Sequence, residues 1–143
     1  MSARPGAVVA VDYGEKRTGL AATDALRIAA MPIETVSTSD REELLERIVS
    51  AVDERSAKTL VVGLPVHLAG HDSARSRRVH ELCAELRRRL PSVDVVEWDE
   101  RLTTRQANSL LAQGGVHWRA RKKKIDAVAA VVILRSYLER EHR

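Results

Sequence analysis

Apolar residues along this chain switch between short unbroken runs and stretches in which they recur every three or four positions. These are the marks of buried strands and amphipathic helices. Ala7 to Tyr13 is an apolar run with one carboxylate, Asp12, near its end, and it predicts a buried strand. "GLAATD" at 19–24 and "LRIAAMPIETV" at 26–36 predict two more, joined by a turn near Asp24 and Ala25. In "STSDREELLERIVSAVDE", Leu44, Leu45, Ile48, Val49 and Val52 recur at helical spacing, and Ser39 with Glu42 fits a reciprocal capping box. "KTLVVGLP" predicts a further buried strand, closed by Gly63 and Pro65. After a loop rich in Gly, His and Asp, a helix presents Val79, Leu82, Cys83, Leu86 and Leu90 on one face and stops at Pro91. "VDVVEW" is the last strand. Thr103 and Gln106 predict the cap of a short helix ending near Gly114. A final helix from about Ile125 carries Val128, Ala129, Val132, Ile133 and Tyr137. Residues 113–124, with two glycines, a basic run and no apolar period, predict a mobile loop.

Three opening strands with short links predict an antiparallel meander, and the later strand–helix alternation predicts parallel additions. The expected fold class is α/β, a mixed five-stranded sheet with helices on both faces, in one domain spanning residues 1–143. Neither repeats nor low-complexity tails interrupt it.

Composition narrows the function classes. With 44% hydrophobic residues the chain can build a core, and with 3% aromatics and no Phe that core must come from Val, Leu, Ile and Ala. No apolar run approaches the roughly 20 residues that cross a bilayer, and the start lacks a signal-peptide pattern. A single cysteine, Cys83, forms no internal disulfide and suits a reducing compartment, so a cytoplasmic protein without membrane partners is expected. The net charge of +4 is modest; its distribution says more. Arg75, Arg77 and Arg78 form one cluster, Arg87, Arg88 and Arg89 a second, and Arg119, Arg121, Lys122, Lys123 and Lys124 a third. Each is either a phosphate footprint or a solvated face.

The carboxylates raise the chemical question. Asp12 stands where the first strand ends, Asp99 and Glu100 directly follow the last strand, and Asp126 falls in the first turn of the expected final helix. Singly, each has a plain structural reading: a turn cap, a helix cap, a favourable charge on a helix dipole. Gathered in space, strand-end carboxylates would repel one another unless a cation lay between them, and oxygen donors suit Mg²⁺ or Mn²⁺.

Four blocks carry a resemblance: "VAVDYGEKRTGLAATD" at 9–24, "VVGLPVHLAGHDSARSRRV" at 61–79, "DERLTTRQA" at 99–107 and "KIDAVAAVVILRSYL" at 124–138. Together they span most of the chain, and the chain resembles the RuvX/YqgF family of Holliday junction resolvases, also described as pre-16S rRNA nucleases. The resemblance implies an RNase H-like fold and a metal-dependent endonuclease. It also implies that Asp12, Glu100 and Asp126 are catalytic carboxylates holding Mg²⁺ or Mn²⁺. Asp99 is the alternative second ligand; adjacent residues of an extended segment point opposite ways, so one of the pair would face the metal. On the same footing Lys16 and Arg17 would hold a phosphate, and Arg101 and Arg105 would contact the backbone near the cut. Arg75, Arg77 and Arg78 would line the rim, and Arg119, Arg121, Lys122, Lys123 and Lys124 would clamp the substrate. Such contacts position nucleic acid without reading its sequence.

The family's "GLP" block usually carries a polar, Asn-like residue where this chain has His67; His67 and His71 either join the site or are loop residues. The implied partner is branched DNA or precursor rRNA. A resolvase would need a symmetric homodimer to cut opposing strands, whereas trimming of RNA needs one site. Two other classes compete. A catalytically silent nucleic-acid-binding module of the same fold would not need the acids, yet all four candidates are present. A phosphate binder of the actin or sugar-kinase kind, which "DYGEKRTG" loosely resembles, needs two copies of the domain, and this chain holds one.

Overall fold

The computed structural model describes residues 6–64, 74–100 and 118–141, with the side chains of the last helix described from Ala127 onward. The elements are β1 (Val8–Asp12), β2 (Arg17–Thr23), β3 (Ala30–Ser37), α1 (Arg41–Arg55), β4 (Thr59–Leu64), α2 (Ala74–Arg89), β5 (Asp94–Asp99) and α3 (Trp118–Glu141). They form one five-stranded sheet in the order β3-β2-β1-β4-β5. β1–β2 and β2–β3 pair antiparallel, as their short links require, and β1–β4 and β4–β5 pair parallel across helical crossovers. This is the mixed sheet the sequence pattern predicts.

The alternation of side chains assigns each residue to a face. From β1, Val9 and Val11 enter the core shared with Leu44, Leu45 and Ile48 of α1 and Val79, Leu82 and Leu86 of α2. Val8 and Ala10 enter the opposite core, with Ala130, Val131, Ile133 and Leu134 of α3. β1 and β4 are covered on both sides, which is why they read as continuous apolar runs. Polar chemistry on these strands is thereby confined to their ends. Cys83 is buried, and burial pushes its thiol up to about 12, so it stays a neutral packing group. Among the described residues no helix is long and apolar enough to cross a membrane.

The structure corrects two local expectations. The N-cap of α1 is Asp40, not Ser39: the Glu43 amide donates to the Asp40 carboxylate at 3.0 Å. The Ser39 hydroxyl instead shares a 2.8 Å hydrogen bond with Ser37. A carboxylate at this position satisfies the orphan amide and also complements the helix dipole, which favours Asp40 over its neighbour. The second correction concerns α3, which begins at Trp118 rather than near Ile125, so residues 118–124 are helix and not loop. Arg, Lys and Ala are strong helix formers and no Gly or Pro interrupts them. The short helix expected at Thr103 and the His67–His71 loop lie outside the described residues.

Candidate active site

Asp12 is the last residue of β1 and stands opposite Gly19 of β2. By strand alternation it shares the α3 face with Val8 and Ala10, while the next residue, Tyr13, packs against the α1/α2 core. The chain then turns tightly. A Cβ on Gly14 would lie 2.2 Å from the Arg17 carbonyl oxygen, so only glycine lets the β1–β2 turn close. Gly14 is thus required by its own backbone. Lys16 and Arg17 follow on the exposed rim of this turn.

Glu100 reaches the same face from the other side. β5 runs in register with β4, Gly63 beside Trp98. A Cβ on Gly63 would meet Ile133 Cδ1 at 2.6 Å and Glu100 Cγ at 3.2 Å, so Glu100 and α3 close over the spot where glycine leaves room. Trp98 also faces α3, donating from its indole Nε1–H to Ser136 Oγ at 3.1 Å and packing edge-on against Tyr137. Alternation along β5 sends Asp99 the opposite way. Glu100, not Asp99, therefore stands on the face that Asp12 shares. Burial pushes the Glu100 carboxyl above its ordinary value; Arg75 opposes the shift and Asp99 adds to it.

Gly63 was not singled out from the sequence, where it reads as a strand terminator. Gly63→Ala should cost about 1–3 kcal/mol through overpacking. Urea denaturation should show Gly63→Ala, Ile133→Val recovering most of that loss, because the second change removes the methyl at 2.6 Å.

Asp126 lies on α3, which crosses this face against β1, β2, β3 and β4. Because α3 starts at Trp118, Asp126 is in its third turn and not its first. Dipole effects fade within one turn, so the reading of Asp126 as a helix-end charge loses its basis. Its side chain falls outside the described set, and among the described residues no three His, Cys, Asp or Glu side chains cluster.

The cations divide into two groups. Arg87, Arg88 and Arg89 are engaged with carboxylates: Arg87 with Glu97 at 3.3 Å, Arg88 with Glu85, and Arg89 with Glu85 and Glu42, each at 3.0 Å. The solvated, paired helix face accounts for that cluster. At the other end of α2, Arg77 and Arg78 are exposed, and Arg75 is half-buried. Arg75 Nη2 donates to the Tyr13 carbonyl at 2.7 Å, tying the start of α2 to the turn after Asp12. That structural bond could not be read from an arginine in a basic cluster. Arg119, Arg121, Lys122, Lys123 and Lys124 occupy the first two turns of α3. Arg101 and Arg105, like His67 and His71, lie outside the described residues.

The RuvX family, described as Holliday junction resolvase, matches residues 6–140. "Putative pre-16S rRNA nuclease" from Halalkalibacterium halodurans is 41% identical, with 92% of this chain and 94% of that protein covered. The protein of the same name from Rubrobacter xylanophilus is 40% identical over 97% of this chain and 96% of its own length. Among solved structures, Thermus thermophilus RuvC in complex with Holliday junction substrate superposes with a TM-score of 0.66 at 15% identity, covering 95% of this chain and 96% of that one. Fowlpox virus resolvase, also in complex with junction DNA, gives a TM-score of 0.62 at 12% identity, covering 96% and 99%. The fold is the RNase H-like fold.

Proposed function

The chain belongs to the RuvX family and is a nuclease, and from that premise we propose that it is a divalent-metal-dependent endonuclease whose carboxylates are Asp12, Glu100 and Asp126. The observation that carries this reading is the shared face. Asp12 and Glu100 come from the ends of two strands separated by β4, and both stand on the side that α3 crosses. The donors are oxygens only, and Glu100 is desolvated beyond what Arg75 offsets, a setting that favours a hard cation such as Mg²⁺ or Mn²⁺. Such a cation supplies Lewis acidity to water and to the phosphate oxygens.

Around it the chain's own residues position the strand. Gly63 sets the height of Glu100 over β4, and Arg75 fixes the turn that carries Asp12. Lys16, Arg17, Arg77, Arg78 and the basic start of α3 hold backbone phosphates, with Arg101 and Arg105 beside the cut. Water attacks phosphorus, the bond to the 3′ oxygen breaks, and a 5′-phosphate and a 3′-hydroxyl remain.

The substrate we favour is precursor 16S rRNA. Relatives at 38–41% identity carry that name, whereas the junction-bound neighbours share only 12–15%. Action on that substrate places the protein in the cytoplasm and needs a single domain and no dimer. Branched DNA, with a symmetric homodimer and a role in DNA repair, is the competing substrate. Incubating the purified protein with precursor 16S rRNA and with a four-way DNA junction, in Mg²⁺ or Mn²⁺, decides between them. Cleavage of neither substrate would reject the enzyme in favour of a silent nucleic-acid-binding module.

Neutralising Lys122, Lys123 and Lys124 together should weaken binding and reduce the slope of log K against log salt by about 2–3. Fluorescence anisotropy across a salt series reads this directly, and an unchanged slope would remove these lysines from the interface.

A further inference from the structure

On the side of the sheet away from Asp12 and Glu100, but at the same end, lies a cavity of about 250 Å³. It is lined by Tyr13, by Leu44 of α1 and Leu82 of α2, and by the polar side chains of Thr38, Arg41, Arg78 and Glu81. Tyr13 directly follows Asp12, so the cavity adjoins the proposed centre across the thickness of one strand. Arg27, Arg47, Arg55, Arg87, Arg88 and Arg89 each meet a carboxylate. Arg41, Arg78 and Glu81 form no ion pair among the described residues and are exposed. An aromatic side chain, two aliphatic ones and two guanidiniums lining one cavity suit a flat apolar ring attached to an anion.

We propose that this cavity takes one base of the substrate strand, stacked against Tyr13, with the adjoining phosphates on Arg41 and Arg78. The inference rests on the nuclease reading for the presence of a strand and goes beyond it by assigning a base subsite. Base–aromatic stacking tolerates any base, but Glu81 can only accept hydrogen bonds. A base offering adjacent donors, guanine above all, is therefore preferred over uracil or thymine, whose carbonyls would face the carboxylate. The strand then wraps the end of the sheet, its scissile phosphate on the α3 face and a neighbouring base on the other.

A coupling experiment tests this with the full chain. Short single-stranded RNA and DNA oligonucleotides, intact or with one abasic position moved along the strand, are bound in EDTA and followed by fluorescence anisotropy. Tyr13→Leu keeps an apolar side chain against the core but removes the stacking ring. At one position the abasic lesion should weaken binding to the parent about tenfold, and Tyr13→Leu should lose the same factor with intact strands and nothing more with that lesion. Arg41→Ala, at an exposed site, should weaken binding with or without the lesion, and Glu81→Gln should level guanine with uracil there. Additive losses at every position, with Tyr13→Leu melting like the parent, would overturn the subsite. Precursor 16S rRNA and a four-way DNA junction incubated with metal and the parent protein separate the two claims. Coupling without cleavage would reject the nuclease and keep the subsite, and cleavage without coupling would do the reverse. Absence of any binding to the single strands would overturn the subsite.

Discussion

Asp12→Asn should lower single-turnover cleavage by about 100-fold or more while leaving substrate affinity within a few-fold of the parent. Asparagine has the shape of aspartate, so β1 should keep its pairing with β2 and β4 and the Gly14 turn its closure. What is lost is a negative oxygen on the α3 face. Affinity should survive because the phosphate contacts are assigned to the cations of the rim, all of which the substitution leaves in place. Removing one carboxylate also relieves repulsion toward a phosphodiester, so binding measured in EDTA should hold or tighten. Cleavage rates and anisotropy on the same labelled substrate, RNA and junction DNA in parallel, measure both quantities. A doubly substituted Asp12→Asn, Asp126→Asn protein that cuts either substrate at the parental rate would overturn the assignment of these carboxylates.

Glu100→Gln should abolish cleavage to a similar extent and at the same time stabilise the metal-free protein at neutral pH. Burial holds the folded-state pKa of Glu100 above its value in the unfolded chain, about 4.3. The folded state therefore binds the proton more tightly than the unfolded state does. Glu100 costs no stability below the unfolded pKa; the cost sets in as pH rises from there and is complete above the folded value. Glutamine cannot ionise and never incurs it. Thermal melts in EDTA should place the variant above the parent at pH 7, with the gap closing as the solution is acidified. Added Mg²⁺ or Mn²⁺ should raise the parent's melting temperature and leave that of Glu100→Gln nearly unchanged. A parent and variant with parallel pH profiles would show that Glu100 is not the strained carboxylate of this site.

The sheet was legible in the sequence because its strands are apolar runs with short antiparallel links first and helix-length gaps afterwards. β1 and β4 needed no partner information to be read as central, since burial on both faces erases alternation. Where the helices begin was harder. Asp40 and Ser39 are adjacent residues that both suit an N-cap, and only the dihedral angles at Asp40, φ −102° and ψ 98°, settle which amide is satisfied. The start of α3 was missed because apolar periodicity is silent over "WRARKKK", while helix propensity there is high.

The site was partly legible. A carboxylate at a strand end is visible as a break in an apolar run, as with Asp12. The choice between Asp99 and Glu100 depended on which face Trp98 takes, and a single tryptophan in a strand gives no such direction. Gly63 and Arg75 act through contacts with residues 70 and 62 positions away, Ile133 and Tyr13, beyond the reach of any local pattern.

At 24 residues, α3 is a rod of about 36 Å. Its far end is pinned: Glu141 accepts from Arg27 Nη1 at 2.6 Å and from the Tyr137 hydroxyl at 3.1 Å, and Arg27 Nε donates to the Gly6 carbonyl at 2.9 Å. An acid at position 126 is therefore mounted on a beam whose anchorage lies about 22 Å away, at the turn of the β2–β3 hairpin. Anything that pivots this beam, a force on its basic end or a loosened hairpin, changes the spacing of the carboxylates without touching one of them. If the proposed carboxylates are the active ones, the hairpin is the footing against which their alignment is set.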